Sequence, residues 1–163
     1  MVVMLKRILE GADKHAAYQA MLQFAGTMEG STEFMLAAQG VEDALRDDAA
    51  THTVIDRYWS GGWVAEDALL IAVYAVLKSD DFDEILRVAV NHSGDSDSTG
   101  AIAGNIAGAF YGVGAIDEKR WLSQLELRGV IDEVAHDLAQ HKDWQIGEYM
   151  ESDEAILEKY PPY

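Results

Sequence analysis

The body of this chain contains no proline; the two that occur, Pro161 and Pro162, stand at its C-terminal end. Nothing before them removes a backbone donor or forces a helix to stop. Against that background, apolar residues recur at three- and four-residue spacing, the period of a helix buried along one face. Met21, Leu22, Phe24 and Ala25 form one such set, and Val41, Ala44 and Leu45 a second. Leu69, Ile71, Ala72, Tyr74, Ala75, Val76 and Leu77 are apolar nearly all round and predict a buried helix. Ile85, Leu86, Val88 and Ala89 predict another, opened by Ser79, Asp80 and Asp81 as cap and first-turn residues. Val130, Ile131, Val134, Ala135 and Leu138 predict an amphipathic helix near the end, and Ser152, Pro161 and Pro162 bound a last one. No run alternates with the two-residue period of a half-buried strand. The expectation is an all-α chain, one domain over residues 1–163, with short polar loops.

Two glycine-bearing loops interrupt the helical pattern. One is Tyr58-Trp59-Ser60-Gly61-Gly62-Trp63; the other runs from Asn91 to Gly100. About thirty residues separate them, enough for two antiparallel helices and a turn, which would return both loops to one end of the bundle. Converging loops on a rigid scaffold are where sites are usually built.

The second loop reads N-H-S-G-D-S-D-S-T-G. Asp95 and Asp97 stand one residue apart, and carboxylates that close repel unless a proton or a cation holds them. Their spacing matches the start of an EF-hand calcium loop, but the twelfth place, which must supply a bidentate Glu, is Ile106. Two carboxylates and the neighbouring hydroxyls are hard oxygen donors suited to magnesium, manganese or calcium rather than zinc. The plainer reading is that Ser98 or Thr99 caps a helix whose dipole the aspartates complement. The helix that follows places Gly100, Gly104, Gly108 and Gly112 on one stripe. Each interior glycine costs about 1 kcal/mol relative to alanine, which predicts close approach by a neighbouring helix.

Charge narrows the partners. With 29 acidic and 12 basic side chains the chain carries a formal charge of −17, which excludes a generic phosphate-binding surface and nucleic acid as a partner. An anionic ligand would need a metal, a helix N-terminus or backbone amides. There is no cysteine for disulfides or thiolate metal sites, which is compatible with the cytoplasm. The opening M-V-V-M-L-K-R-I-L-E-G is interrupted by Lys6, Arg7 and Glu10 and predicts an ordinary helix, neither signal nor membrane segment.

The stretch H-S-G-D-S-D-S-T-G-A-I-A-G-N-I-A-G-A-F-Y-G (92–112) resembles the C-terminal metal motif of the ADP-ribosylglycohydrolase family, and its G-D-S-D-S-T-G resembles the arginine-directed members. Residues 60–77 resemble the family's glycine loop and buried helix, and 118–121 with 125–128 its closing helices, so the likeness spans about 55–140. The resemblance implies a compact orthogonal helical bundle, two magnesium or manganese ions, and cleavage of the bond joining ADP-ribose to a protein side chain. By position it implies Asp95 and Asp97 as catalytic residues, and Asp95, Asp97 and Ser98 as metal ligands. It implies Gly61, Gly62 and Trp63 beside ADP-ribose, and His92, Ser93 and Gly94 facing the ribose and diphosphate. Two cations would hold both aspartates ionised, polarise the ribose hydroxyls and activate water. The family's N-terminal T-D-D-T-like metal motif has no counterpart here. Glu42-Asp43 and Asp47-Asp48 lie in helical pattern and read as solvated faces. The expectation is a C-terminal half of the family fold, acting on ADP-ribosylated protein or ADP-ribose, as a homo-oligomer or with a complementary N-terminal chain. Trp59 and Trp63 could stack on adenine or fill the core, and Glu66 could meet a ribose hydroxyl.

Overall fold

The computed structural model describes residues 1–141, 144 and 154–161, and every regular element among them is helical. The boundary expected at Ser152 and Pro162 lies outside the described residues. The chain divides into two compact units, Met1–Ile116 and Asp117–Tyr163.

The first unit contains α1 (Val2–Leu9), α2 (Lys14–Ala25), α3 (Thr32–Arg46), α4 (Thr51–Trp59), α5 (Ala65–Lys78), α6 (Phe82–Val90) and α7 (Ser96–Tyr111). The all-round apolar segment becomes α5, and every residue from Leu70 to Leu77 is buried. Helices α2, α3, α4, α6 and α7 all pack against it. Each fully buried Leu, Ile or Val contributes about 1.5–3 kcal/mol, so this one helix anchors the unit. Asp81 caps α6 as expected, its Oδ1 accepting from the Glu84 N–H at 2.8 Å. Trp59, last residue of α4, is buried against Tyr74 with ring centroids 5.5 Å apart. It fills the core and presents no face to a ligand.

A buried cation ties three elements together at the C-terminal end of α7. Lys14 is 7% exposed, and its Nζ donates to Asp80 Oδ1 at 2.6 Å, the Ser79 carbonyl at 2.7 Å and the Tyr111 hydroxyl at 3.2 Å. All three ammonium hydrogens are thereby used, the condition under which burying an ammonium is tolerated.

The glycine stripe of α7 is explained only in its first half. A Cβ on Gly100 would lie 2.6 Å from Val90 Cγ1, and one on Gly104 would be 3.6 Å from Leu86 Cδ2, so α6 covers these two turns. Gly112 takes φ +73° and ends the helix, a position that favours glycine. Gly108 faces open space; the neighbouring helix expected along the whole stripe stops short of it.

In the second unit α8 (Arg128–Gln140) and α9 (Glu154–Lys159) are the described α-helices. Where closing helices were expected over 118–121 and 125–128, the chain forms turns and a short 3-10 helix, Leu122–Gln124, before α8 begins at Arg128. Asp137 on α8 accepts from Lys159 Nζ at 2.6 Å and from the Tyr160 hydroxyl at 2.7 Å. The amphipathic face of α8 forms as expected, but Val130, Ile131, Val134 and Leu138 remain exposed and none of its residues is buried.

Candidate active site

Helix α4 ends in a chain reversal with Ser60, Gly61 and Gly62 at φ 48°, 83° and 81°. Three successive left-handed residues turn the backbone into α5, and two of them are glycine because that region penalises a Cβ. The second loop leaves α6 at Asn91 and reaches Asp95, the residue preceding α7. The two loops touch. The Asp95 N–H donates to the Gly61 carbonyl at 2.9 Å. A Cβ on Gly94 would sit 1.9 Å from that same oxygen, so the approach requires glycine there. A Cβ on Gly62 would meet Ile71 Cδ1 at 3.0 Å and Thr99 Cγ2 at 3.1 Å. The glycines that punctuate both loops are thus close-approach residues as well as turn residues.

Behind the loop lies a closed hydrogen-bond network. His92 Nδ1 accepts from the Gly94 N–H at 3.1 Å, which places its ring hydrogen on Nε2. Nε2 stands 3.1 Å from Thr99 Oγ1 and 2.9 Å from the Ala89 carbonyl. Thr99 is fully buried, and its hydroxyl lies 2.6 Å from the Ala89 carbonyl and 3.0 Å from that of Asp95. Neither Ser98 nor Thr99 serves as the helix cap: both lie inside α7, and Asp95, at the cap position, accepts no capping bond through its side chain. The hub role of Thr99 is the feature that sequence reading missed. Its only signal was a β-branched hydroxyl residue entering a helix of glycine and alanine.

The carboxylates project from this frame. Asp97 is exposed and Asp95 and Ser98 half-buried. The Asp95 side chain, in hydrogen-bond contact, and then the Ser98 N–H at 2.9 Å hold Asp97 below the usual carboxylate range. A cation between two carboxylates placed this close along the chain would relieve their repulsion. Among the described residues no group of three His, Asp or Glu side chains surrounds a common point, so the pair has no third carboxylate. Asp43 and Glu42 instead face Arg46 at 3.2 and 3.5 Å on the surface of α3, as expected of a solvated helix face. Asp47 and Asp48 lie in the loop after α3 and not on a helix, and the largely covered Asp47 pairs with Arg57 and accepts from the Ala49 N–H at 2.9 Å. Ser93 is exposed, and Trp63 is 72% exposed beside the buried Gly61 and Gly62. On the first turn of α5, burial and then the neighbouring Glu66 push the Asp67 carboxyl up. No described helix is long and apolar enough to cross a membrane.

An all-helical chain with a paired-aspartate loop locked against a glycine turn defines the class, and comparison with known proteins assigns it. Residues 1–147 match the ADP-ribosylglycohydrolase family, and the chain belongs to that family. The match takes in residues 1–54, where no motif was legible. The chain is 39% identical over 83 residues to the ADP-ribosylarginine hydrolase Tri1 of Serratia proteamaculans, covering 51% of this chain and 22% of that protein. It is 34% identical over 89 residues to the ADP-ribosylhydrolase ARH1 of Dictyostelium discoideum, covering 54% and 22%. With the ADP-ribosyl-[dinitrogen reductase] glycohydrolase of Rhodospirillum rubrum it shares 40% over 62 residues, covering 38% and 21%. The matched stretch therefore spans about a fifth of these relatives. No solved structure matches.

Proposed function

We propose that this chain carries the metal-loop portion of a divalent-cation-dependent hydrolase that releases ADP-ribose from a protein side chain, arginine in particular. The observation that supports it best is the placement of Asp95 and Asp97 at the start of α7, on a loop whose Asp95 N–H is hydrogen-bonded to a glycine turn that bears an exposed tryptophan. Asp95, Asp97 and the Ser98 hydroxyl fit a hard cation in donor chemistry and are the residues that would hold magnesium or manganese. Two bound ions would supply charge relief between the carboxylates and polarisation of ribose and water oxygens. The chain's own residues fix where this happens. The Asp95 backbone is tied to Gly61, so its carboxylate leaves from a set point. Trp63 offers an exposed ring on which adenine can stack, and Ser93 a free edge toward ribose and diphosphate.

The partners on this reading are ADP-ribosylated protein and ADP-ribose. The remaining ligands come from a complementary N-terminal polypeptide or a second copy, a reading favoured by the lack of a third carboxylate among the described residues. A cytoplasmic setting goes with it, since a chain without cysteine needs no oxidising compartment. The test incubates arginine-ADP-ribosylated protein and magnesium with the chain, alone and with a polypeptide bearing the family's N-terminal acidic motif. Release of ADP-ribose in the second mixture supports the proposal; no release in either overturns it.

A further inference from the structure

We infer that His92, acting with Thr99, is a positioning residue that sets the backbone of Asp95, and that its imidazole is not a ligand contact. This rests on the metal reading proposed above and assigns a role within the same site. Both ring nitrogens of His92 are committed inside the protein. Nδ1 takes the Gly94 N–H at 3.1 Å, and Nε2 faces Thr99 Oγ1 at 3.1 Å and the Ala89 carbonyl at 2.9 Å. A ring with both nitrogens engaged has no donor or acceptor left for ribose or diphosphate.

What the network holds is Asp95. Its N–H is bound by Gly61 at 2.9 Å and its carbonyl by the Thr99 N–H at 3.2 Å, with the Thr99 hydroxyl, which donates to the Ala89 carbonyl at 2.6 Å, packed 3.0 Å from that of Asp95. Gly94, immediately before it, is fixed by His92 on one side and by contact with Gly61 on the other. Thr99 is fully buried, so its hydroxyl cannot exchange these partners for water without opening the loop. Asp95 is thus pinned at N–H and C=O by Gly61 and Thr99, neither of which is among the residues that would hold a cation. Outer groups that orient a ligand govern metal affinity by about 10–100-fold.

The experiment compares the full chain with His92→Gln, His92→Asn, Thr99→Val and Thr99→Ser. Nitrogen-15 NMR reads the imidazole tautomer and the exchange rates of the Gly94 and Asp95 amides. Manganese titration followed by electron paramagnetic resonance reads affinity, first without and then with ADP-ribose. The expected wild type carries hydrogen on Nε2 and protects both amides. His92→Gln removes the Nδ1 acceptor and Thr99→Val the hydroxyl. Each should accelerate exchange at Gly94 and weaken manganese binding at least tenfold with no ADP-ribose present. His92→Asn, which can place Oδ1 where Nδ1 lies, and Thr99→Ser should retain most of both. A hydrogen on Nδ1 overturns the inference. So does unchanged manganese affinity in His92→Gln and Thr99→Val with only ADP-ribose affinity reduced, since that marks His92 as a ligand contact. A wild type that binds no manganese overturns the proposed metal function instead, while amide exchange still decides the positioning role.

Discussion

The amide of Asp95 donates to the carbonyl of Gly61 at 2.9 Å, joining two loops that the α5–α6 hairpin carries to the same end of the unit. This bond gives the half-buried Asp95 carboxylate, and the exposed Asp97 two residues on, a defined origin. It also fixes what the neighbouring residues can be, which makes the geometry open to test by small substitutions.

Gly94→Ala should open the junction. The added methyl would lie 1.9 Å from the Gly61 oxygen, a backbone atom held by its own turn. The loss expected from such overpacking is about 1–3 kcal/mol, measured by denaturant unfolding. Gly108→Ala is the control on the same helix. Its methyl meets nothing within 4 Å, so helix propensity alone should raise stability by up to about 1 kcal/mol.

The two tryptophans that flank the glycine turn should separate cleanly. Trp59→Ala empties a core site 1% exposed and should cost about 3–5 kcal/mol. Trp63→Ala alters a side chain 72% exposed and should change stability by no more than about 0.5 kcal/mol. If Trp63 stacks on adenine, that variant should still lose affinity for ADP-ribose, read by calorimetry.

Lys14 and Asp80 predict a limb of the acid-unfolding curve. The Lys14 ammonium, by hydrogen bond and then by charge, lowers the Asp80 carboxyl below its ordinary value of 3.8. A carboxylate depressed in the folded state adds stability that is present above the ordinary value. That stability is lost as pH falls through the folded one. Unfolding free energy measured against pH should therefore drop below about pH 4, and Asp80→Asn should flatten that part of the profile. Lys14→Met should cost about 1–3 kcal/mol at neutral pH, because the Ser79 carbonyl and Tyr111 hydroxyl lose a buried donor.

Much of this architecture was legible in the residues. The all-round apolar run at 69–77 could only be a buried helix, and Asp81 could be read as a cap. The likeness of 92–112 to a family motif, and the convergence of the two loops, followed from glycine placement and segment length. What stayed hidden depends on three-dimensional contact. Trp59 and Trp63 are equivalent in sequence but one faces the core and the other solvent, because α4 ends between them. The stripe from Gly100 to Gly112 is uniform in sequence, yet α6 covers only its first two turns. The Thr99 hub could not be read because its partner, the Ala89 carbonyl, is a backbone atom that no pattern of side chains marks.

The most direct test of the account is calorimetric titration of magnesium into the wild type and into Asp97→Asn, each with and without ADP-ribose. The account predicts weak magnesium binding by the wild type, strengthened when ADP-ribose supplies further oxygens, and sharply reduced by Asp97→Asn in both conditions. Equal magnesium affinity in the two proteins would contradict it, leaving Asp97 as a side chain that only complements the dipole of α7.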